Sequence, residues 1–160
     1  MADSTRWLTG EEQRTWRAFW TAGRLVDSTL DRQLNRSADM GHAHYAILVA
    51  LSEAEDGTVR MGDLAEFLQY SPSRLSHAVR RMEGTGWIVR RPCPTDRRGQ
   101  LAVITPAGRA AIHEAAPGHV DEVRSLVFDV LDETQQAQLR EICETIVERV
   151  AHRAAIASTP

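Results

Sequence analysis

The dipeptide Ser71-Pro72 constrains this chain more than any other feature. Serine is a good helix N-cap, and proline at the first helical position gives up an N–H that has no intrahelical partner there. A helix is therefore predicted to begin sharply at residue 72. Just upstream, Leu64, Ala65 and Leu68 form the inward stripe of a short helix near Met61–Gln69, which leaves only Gln69–Ser71 for the turn. Two helices joined by so few residues cross and share a core. The second runs to about Thr85, where Gly86 can take the left-handed conformation that closes it.

Two β segments come next, Trp87–Val89 and Leu101–Ile104, separated by a polar, arginine-rich stretch from Arg90 to Gln100 that reads as a hairpin with a long charged tip. A helix, a tight turn, a helix and a hairpin follow in the order of a winged helix-turn-helix. Flanking helices complete a mainly α fold with a small β-hairpin wing. Thr9 and Glu12 form a capping box before a first helix with apolar residues at Trp16, Phe19, Trp20, Val26, Leu30 and Leu34. A second helix covers about His42–Ala54. Thr105-Pro106 starts a fifth, in which Pro117 and Gly118 predict a kink or break. Asp132 and Gln135 start a sixth, with Leu139, Ile142, Cys143, Ile146 and Val150 on its apolar face and fraying expected from Ala154 onward.

Charge is unevenly distributed. The formal balance is −3, and all 19 basic residues are arginines. From Arg74 to Arg98, seven arginines face only Glu83 and Asp96, a local excess of +5 that leaves −8 for the remainder. An acidic body with one basic patch suits docking on a polyanion through a single surface. No apolar run approaches the ~20 residues of a membrane helix, and Met1–Gly10 lacks an apolar signal core. The expectation is a cytoplasmic protein with no membrane partner.

At about 100° per residue, Leu75, Ala78, Val79 and Met82 cluster on one side of the fourth helix. Ser73, His77, Arg80 and Gly84 lie opposite, with Arg74, Ser76 and Arg81 on the flanks. A recognition helix needs this layout: slim enough for the major groove, with donors aimed at base edges. Ser71, Ser73, Arg74, Ser76, His77, Arg80 and Arg81 are the candidate DNA contacts on this element. Arg80 is the foremost base reader, because arginine to guanine is the commonest specific pairing. Arg97 and Arg98 on the hairpin could enter the minor groove, where the potential is most negative. Asp96 beside them suggests an ion pair that holds an arginine in place.

The stretch from Leu64 to Gly108 resembles the MarR family of winged-helix regulators. The shared residues are Leu64 and Ala65, Ser73-Arg74-Leu75-Ser76, Gly86, Asp96-Arg97-Arg98-Gly99, Leu101, Thr105 and Gly108. The resemblance implies a repressor that binds a pseudo-palindromic duplex as a homodimer. Residues 37–105 would form the DNA-binding domain, and residues 1–36 and 106–160 the dimerisation helices. It assigns the minor groove to Arg97 or Arg98, preferably Arg98. Two positions depart from the pattern: Arg60 stands where a small polar residue usually caps the third helix, and Pro117 interrupts a helix that many relatives keep continuous.

The resemblance also implies a small-molecule effector, for which Trp16, Trp20, His42, His44 and Tyr45 are the candidate pocket residues. Tryptophans at helical spacing are more often core. A zinc-responsive alternative would draw on His42, His44, His113, Glu114 and His119. The helical pair that metal sites favour is missing, because Pro117 stands four positions after His113, and neither metal nor cofactor is expected. A redox-responsive alternative rests on Cys93, read as an exposed wing thiol whose pKa neighbouring arginines could lower. Catalytic motifs such as G-x-S-x-G, the P-loop and H-E-x-x-H are absent, which argues against an enzyme. The paired strand aromatics that stack unpaired RNA bases are absent too.

Overall fold

The computed structural model describes residues 5–157, apart from the side chains of Arg97, Arg98 and residues 154–157. In chain order the elements are α1 (Gly10–Ala38), α2 (His42–Glu53), β1 (Thr58–Arg60), α3 (Met61–Phe67), α4 (Pro72–Gly84), β2 (Ile88–Cys93), β3 (Asp96–Ile104), α5 (Pro106–Val123), a π-helical stretch (Arg124–Phe128) and α6 (Glu133–Ala157). They fall into two units, residues 1–120 and 121–160.

Local chemistry sets the helix starts as expected. Thr9 Oγ1 accepts from Glu12 N, and Glu12 Oε2 accepts from Thr9 N at 2.7 Å. Ser71 Oγ accepts from Arg74 N at 3.2 Å, with Pro72 in the first turn. Thr105 Oγ1 accepts from Gly108 N at 3.1 Å. In the second unit, Asp132 and Gln135 bond reciprocally at 2.9 and 3.0 Å. The start of α2 is different. Its cap is Gly41, which has no side chain, so the Asp31 carboxylate of α1 accepts from His42 N at 2.9 Å. A negative group at a helix N-terminus also complements the helix dipole.

The core of the first unit lies where α2, α3, α4 and the sheet meet. Leu34, Met40, Ile47, Leu48, Leu51, Leu64, Leu75, Val79, Met82, Ile88 and Ala102 are fully or almost fully buried there. α3 and α4 meet across Gln69–Ser71, with Gln69 at φ 53° and Tyr70 N bonded to Ala65 O at 2.8 Å. Gly86, at φ 76°, turns the chain from α4 into the wing.

The hairpin differs from expectation. Its strands extend through the polar residues, with Arg90 opposite Ala102, Arg91 opposite Leu101 and Pro92 opposite Gln100, so only Pro94 and Thr95 remain as the tip. Polar side chains do not prevent pairing on a solvated ribbon. Pro92 is tolerated because the sheet order is β1-β3-β2, which makes β2 an edge strand. β1, absent from the sequence reading, pairs with the other edge of β3.

Pro117 does not break α5, which runs continuously from Pro106 to Val123. Packing on both sides of the proline offsets the missing bond: Ala115 is buried, and His119 lies against Tyr45. α6 stays helical to Ala157, so the fraying expected from Ala154 is not seen there; residues 158–160 lie outside the described residues.

Candidate nucleic-acid interface

The two faces of α4 separate as its periodicity predicts. Leu75, Ala78, Val79 and Met82 are buried. Ser71, Ser73, Arg74, His77, Arg80 and Arg81 are exposed, and Ser76 is half-buried. Arg74 is fixed by stacking: its guanidinium carbon lies 4.1 Å from the centroid of the Tyr70 ring. Among the described side chains, Arg80 and Arg81 make no ion pair, so their charge is available to a ligand.

Beside α4 runs a groove of about 490 Å³, whose walls include Arg60 and Met61 on one side, Leu75 and Ser76 on α4, and Arg90, Asp96 and Gln100 on the wing. Two ion pairs hold these walls. Glu83, in the last turn of α4, accepts from Arg90 N at 3.3 Å and Nε at 3.0 Å, and its Oε2 is 2.7 Å from Arg90 Nη2. Those bonds hold the Glu83 carboxyl below its usual pKa. On the other wall, Arg60 Nη2 donates to Asp96 Oδ2 at 2.8 Å. Asp96 thus pairs with an arginine of β1, 36 positions away, whereas the local pair expected at the wing tip involves side chains outside the described residues. Arg60 cannot cap α3, because a guanidinium offers no acceptor; the helix starts uncapped, and the side chain reaches the wing.

Arg97 and Arg98 lie at the start of β3, directly after the tip; their side chains lie outside the described residues. Cys93 is not exposed, contrary to expectation. It is only 7% accessible, packed in the tight turn against Gly99, where an added Cβ would come within 3.0 Å of its own. Its thiol is held below the usual range chiefly by hydrogen bonds from Thr95, with a smaller contribution from Arg60.

The candidate effector residues do not share one cavity in this chain. Trp16 and Trp20 stack at 5.7 Å on the outside of α1, 52% and 53% exposed. Trp20 borders a cleft of about 430 Å³ with Arg24 and Asp27. His42 Nδ1 lies 2.8 Å from Asp27 Oδ1, and Tyr45 and His42 pack against His119 of α5, with ring centroids 4.2 and 5.7 Å away. His44 faces another cleft, of about 360 Å³, with Asp31, Arg81 and Trp87. The described residues contain no group of three side chains arranged to hold a metal ion. The sequence offers His119 only as a candidate metal ligand; its contact with Tyr45 is a tertiary one that spacing cannot reveal.

Burial lowers the pKa of both His44 and His119, helped by Arg81 in the first case and His42 in the second. The unfolded chain takes up these protons as pH falls below about 6.5, while the folded chain resists them. Stability is therefore expected to fall as pH drops from 7 to 5, above the range where carboxylates titrate. Thermal melts of the wild type and of His44→Gln/His119→Gln across that window check this. The double variant should show the flatter slope.

A three-stranded sheet whose hairpin projects beside a helix-turn-helix defines the winged helix-turn-helix class. The sequence profile of the MarR family matches residues 38–99. Sco3205, a MarR family transcriptional regulator from Streptomyces coelicolor solved in complex with DNA, is 47% identical, with 90% of this chain and 91% of that one covered and a TM-score of 0.87. AbsC, a MarR family regulator from the same organism, is 38% identical over 92% of this chain and 99% of its own, again with a TM-score of 0.87. The multiple antibiotic resistance protein MarR of Salmonella typhimurium is 28% identical over 113 residues, covering 66% of this chain and 77% of that protein. The chain belongs to the MarR family of transcriptional regulators. No helix among the described residues is long and apolar enough to cross a membrane.

Proposed function

We propose that this chain is a sequence-specific repressor that binds duplex DNA as a homodimer, with α4 in the major groove and the wing in the minor groove. The observation that carries this is the exposed face of α4, where Ser73, Arg74, His77, Arg80 and Arg81 project from a buried apolar backing. The DNA-bound state of Sco3205 supports it. Residues 37–105 are the reading domain, and 1–36 with 106–160 the dimerisation helices. Apolar side chains left uncovered in the single chain favour a two-fold partner, including Phe19 and Trp20 on α1 and Ile142 and Val150 on α6. Effector release belongs to the same reading. The cleft shared by His44, Arg81 and Trp87 touches the last turn of α4, so a small molecule bound there would bear on the reading helix.

Competition binding between duplex DNA and RNA of the same sequence, with light scattering on the free protein, tests this. Preference for the duplex and a dimeric mass are expected; preference for RNA or a monomeric mass at micromolar concentration would contradict it.

The wing has its own test. Arg98→Ala should cost affinity mainly on operators with narrow, A·T-rich flanks, because a wing arginine responds to groove width and potential. Equal loss on A·T-rich and G·C-rich flanks would exclude insertion by Arg98, and Arg97 would be tested next.

A further inference from the structure

We infer that Glu83 and Arg60 are positioning residues that brace the wing from two sides, Glu83 against α4 and Arg60 against the start of α3, so that helix-turn-helix and wing meet DNA as one rigid reader. This rests on the DNA-binding reading above. Glu83 stands at the end of α4, where a carboxylate would repel phosphate, yet it is not turned away. Both of its oxygens engage Arg90 on β2, including the Arg90 backbone N–H. Arg60, at the start of α3, has no acceptor with which to cap that helix, and its guanidinium reaches Asp96 at the start of β3. Arg60, Arg90 and Asp96 all line the groove, with the Glu83–Arg90 pair tying the end of α4 to β2 and the Arg60–Asp96 pair tying the start of α3 to β3 near the wing tip. Each guanidinium is matched by a carboxylate, so Arg60 and Arg90 add little net attraction for phosphate. Their effect is geometric, fixing the distance between the groups that would enter the two grooves.

Glu83→Gln separates this from a charge effect by sign. Removing a negative charge beside DNA strengthens non-specific binding. Loosening the wing weakens specific binding. The variant should bind a selected operator about three- to tenfold more weakly and a scrambled duplex equally or more tightly. Its melting temperature should stay close to wild type, because both partners are partly exposed. Arg90→Gln removes the same brace, so the double variant should bind the operator about as weakly as the weaker single variant. Arg60→Gln should weaken operator binding while the slope of affinity against salt stays unchanged.

Operator binding by Glu83→Gln at or above wild-type strength would overturn the brace, as would full additivity with Arg90→Gln. A salt slope reduced by about one in Arg60→Gln would make Arg60 a phosphate contact instead. If wild type showed no preference for operator over scrambled duplex, the DNA-binding reading would fail first, and the brace with it.

Discussion

Arg80→Ala is expected to weaken operator binding by about 1–3 kcal/mol and to relax preference at one base position in each half-site. Arg80 lies in the middle of the exposed face of α4, one residue beyond the buried Val79. It makes no salt bridge among the described residues, although Glu83 lies near enough to feel its charge, so the guanidinium can turn to a base edge. Because the side chain is exposed, its removal should leave stability within about 0.5 kcal/mol, so lost binding cannot be attributed to unfolding. The check is affinity of wild type and variant against operators changed one base pair at a time. An unchanged pattern of preference would mean that α4 presents another residue to the bases.

Gly108→Ala is expected to lower stability by about 1–3 kcal/mol or more, the usual cost of forcing extra atoms into a packed site. A Cβ at Gly108 would lie 2.3 Å from the Trp87 carbonyl oxygen and 2.9 Å from Ile104 Cγ1. The carbonyl cannot retreat freely, because it already accepts from Thr105 N at 3.0 Å. The chain must therefore shift where α5 meets the root of the wing, and operator affinity should fall with stability. Gly62→Ala in α3 is the control: a Cβ there meets nothing within 4 Å, so the change should be neutral or stabilising by up to about 1 kcal/mol. Thermal melts of the two variants should move apart by several degrees. If both are neutral, the contact between α5 and the wing is looser than the geometry requires.

What could be read from the sequence was whatever is decided within one helical turn. The caps at Thr9, Ser71, Thr105 and Asp132 each act on a backbone N–H three residues away. The faces of α4 follow from a single period. Features made by distant partners were not visible. β1 has three residues, too few to show alternation, and exists because β3 offers a free edge. The wing's strands are polar, so hydropathy placed their boundary where the apolar residues end. Arg60 and Asp96 are 36 positions apart, and a charge count cannot pair them. Cys93 is buried in a turn beside Gly99, whereas its place on the wing suggested exposure. Helical spacing grouped Trp16 and Trp20 correctly as neighbours, but not with His42, His44 and Tyr45, whose surroundings involve α5 and the end of α4.

If α4 reads base edges and two copies do so together, the bound sequence must carry the imprint of both. Selection of bound duplexes from a random pool, followed by sequencing, tests both parts at once. An enriched pseudo-palindrome is expected, with half-site centres about one helical turn, roughly 34 Å, apart. A pool left without any enriched motif, or enriched for a single unrepeated half-site, would contradict it.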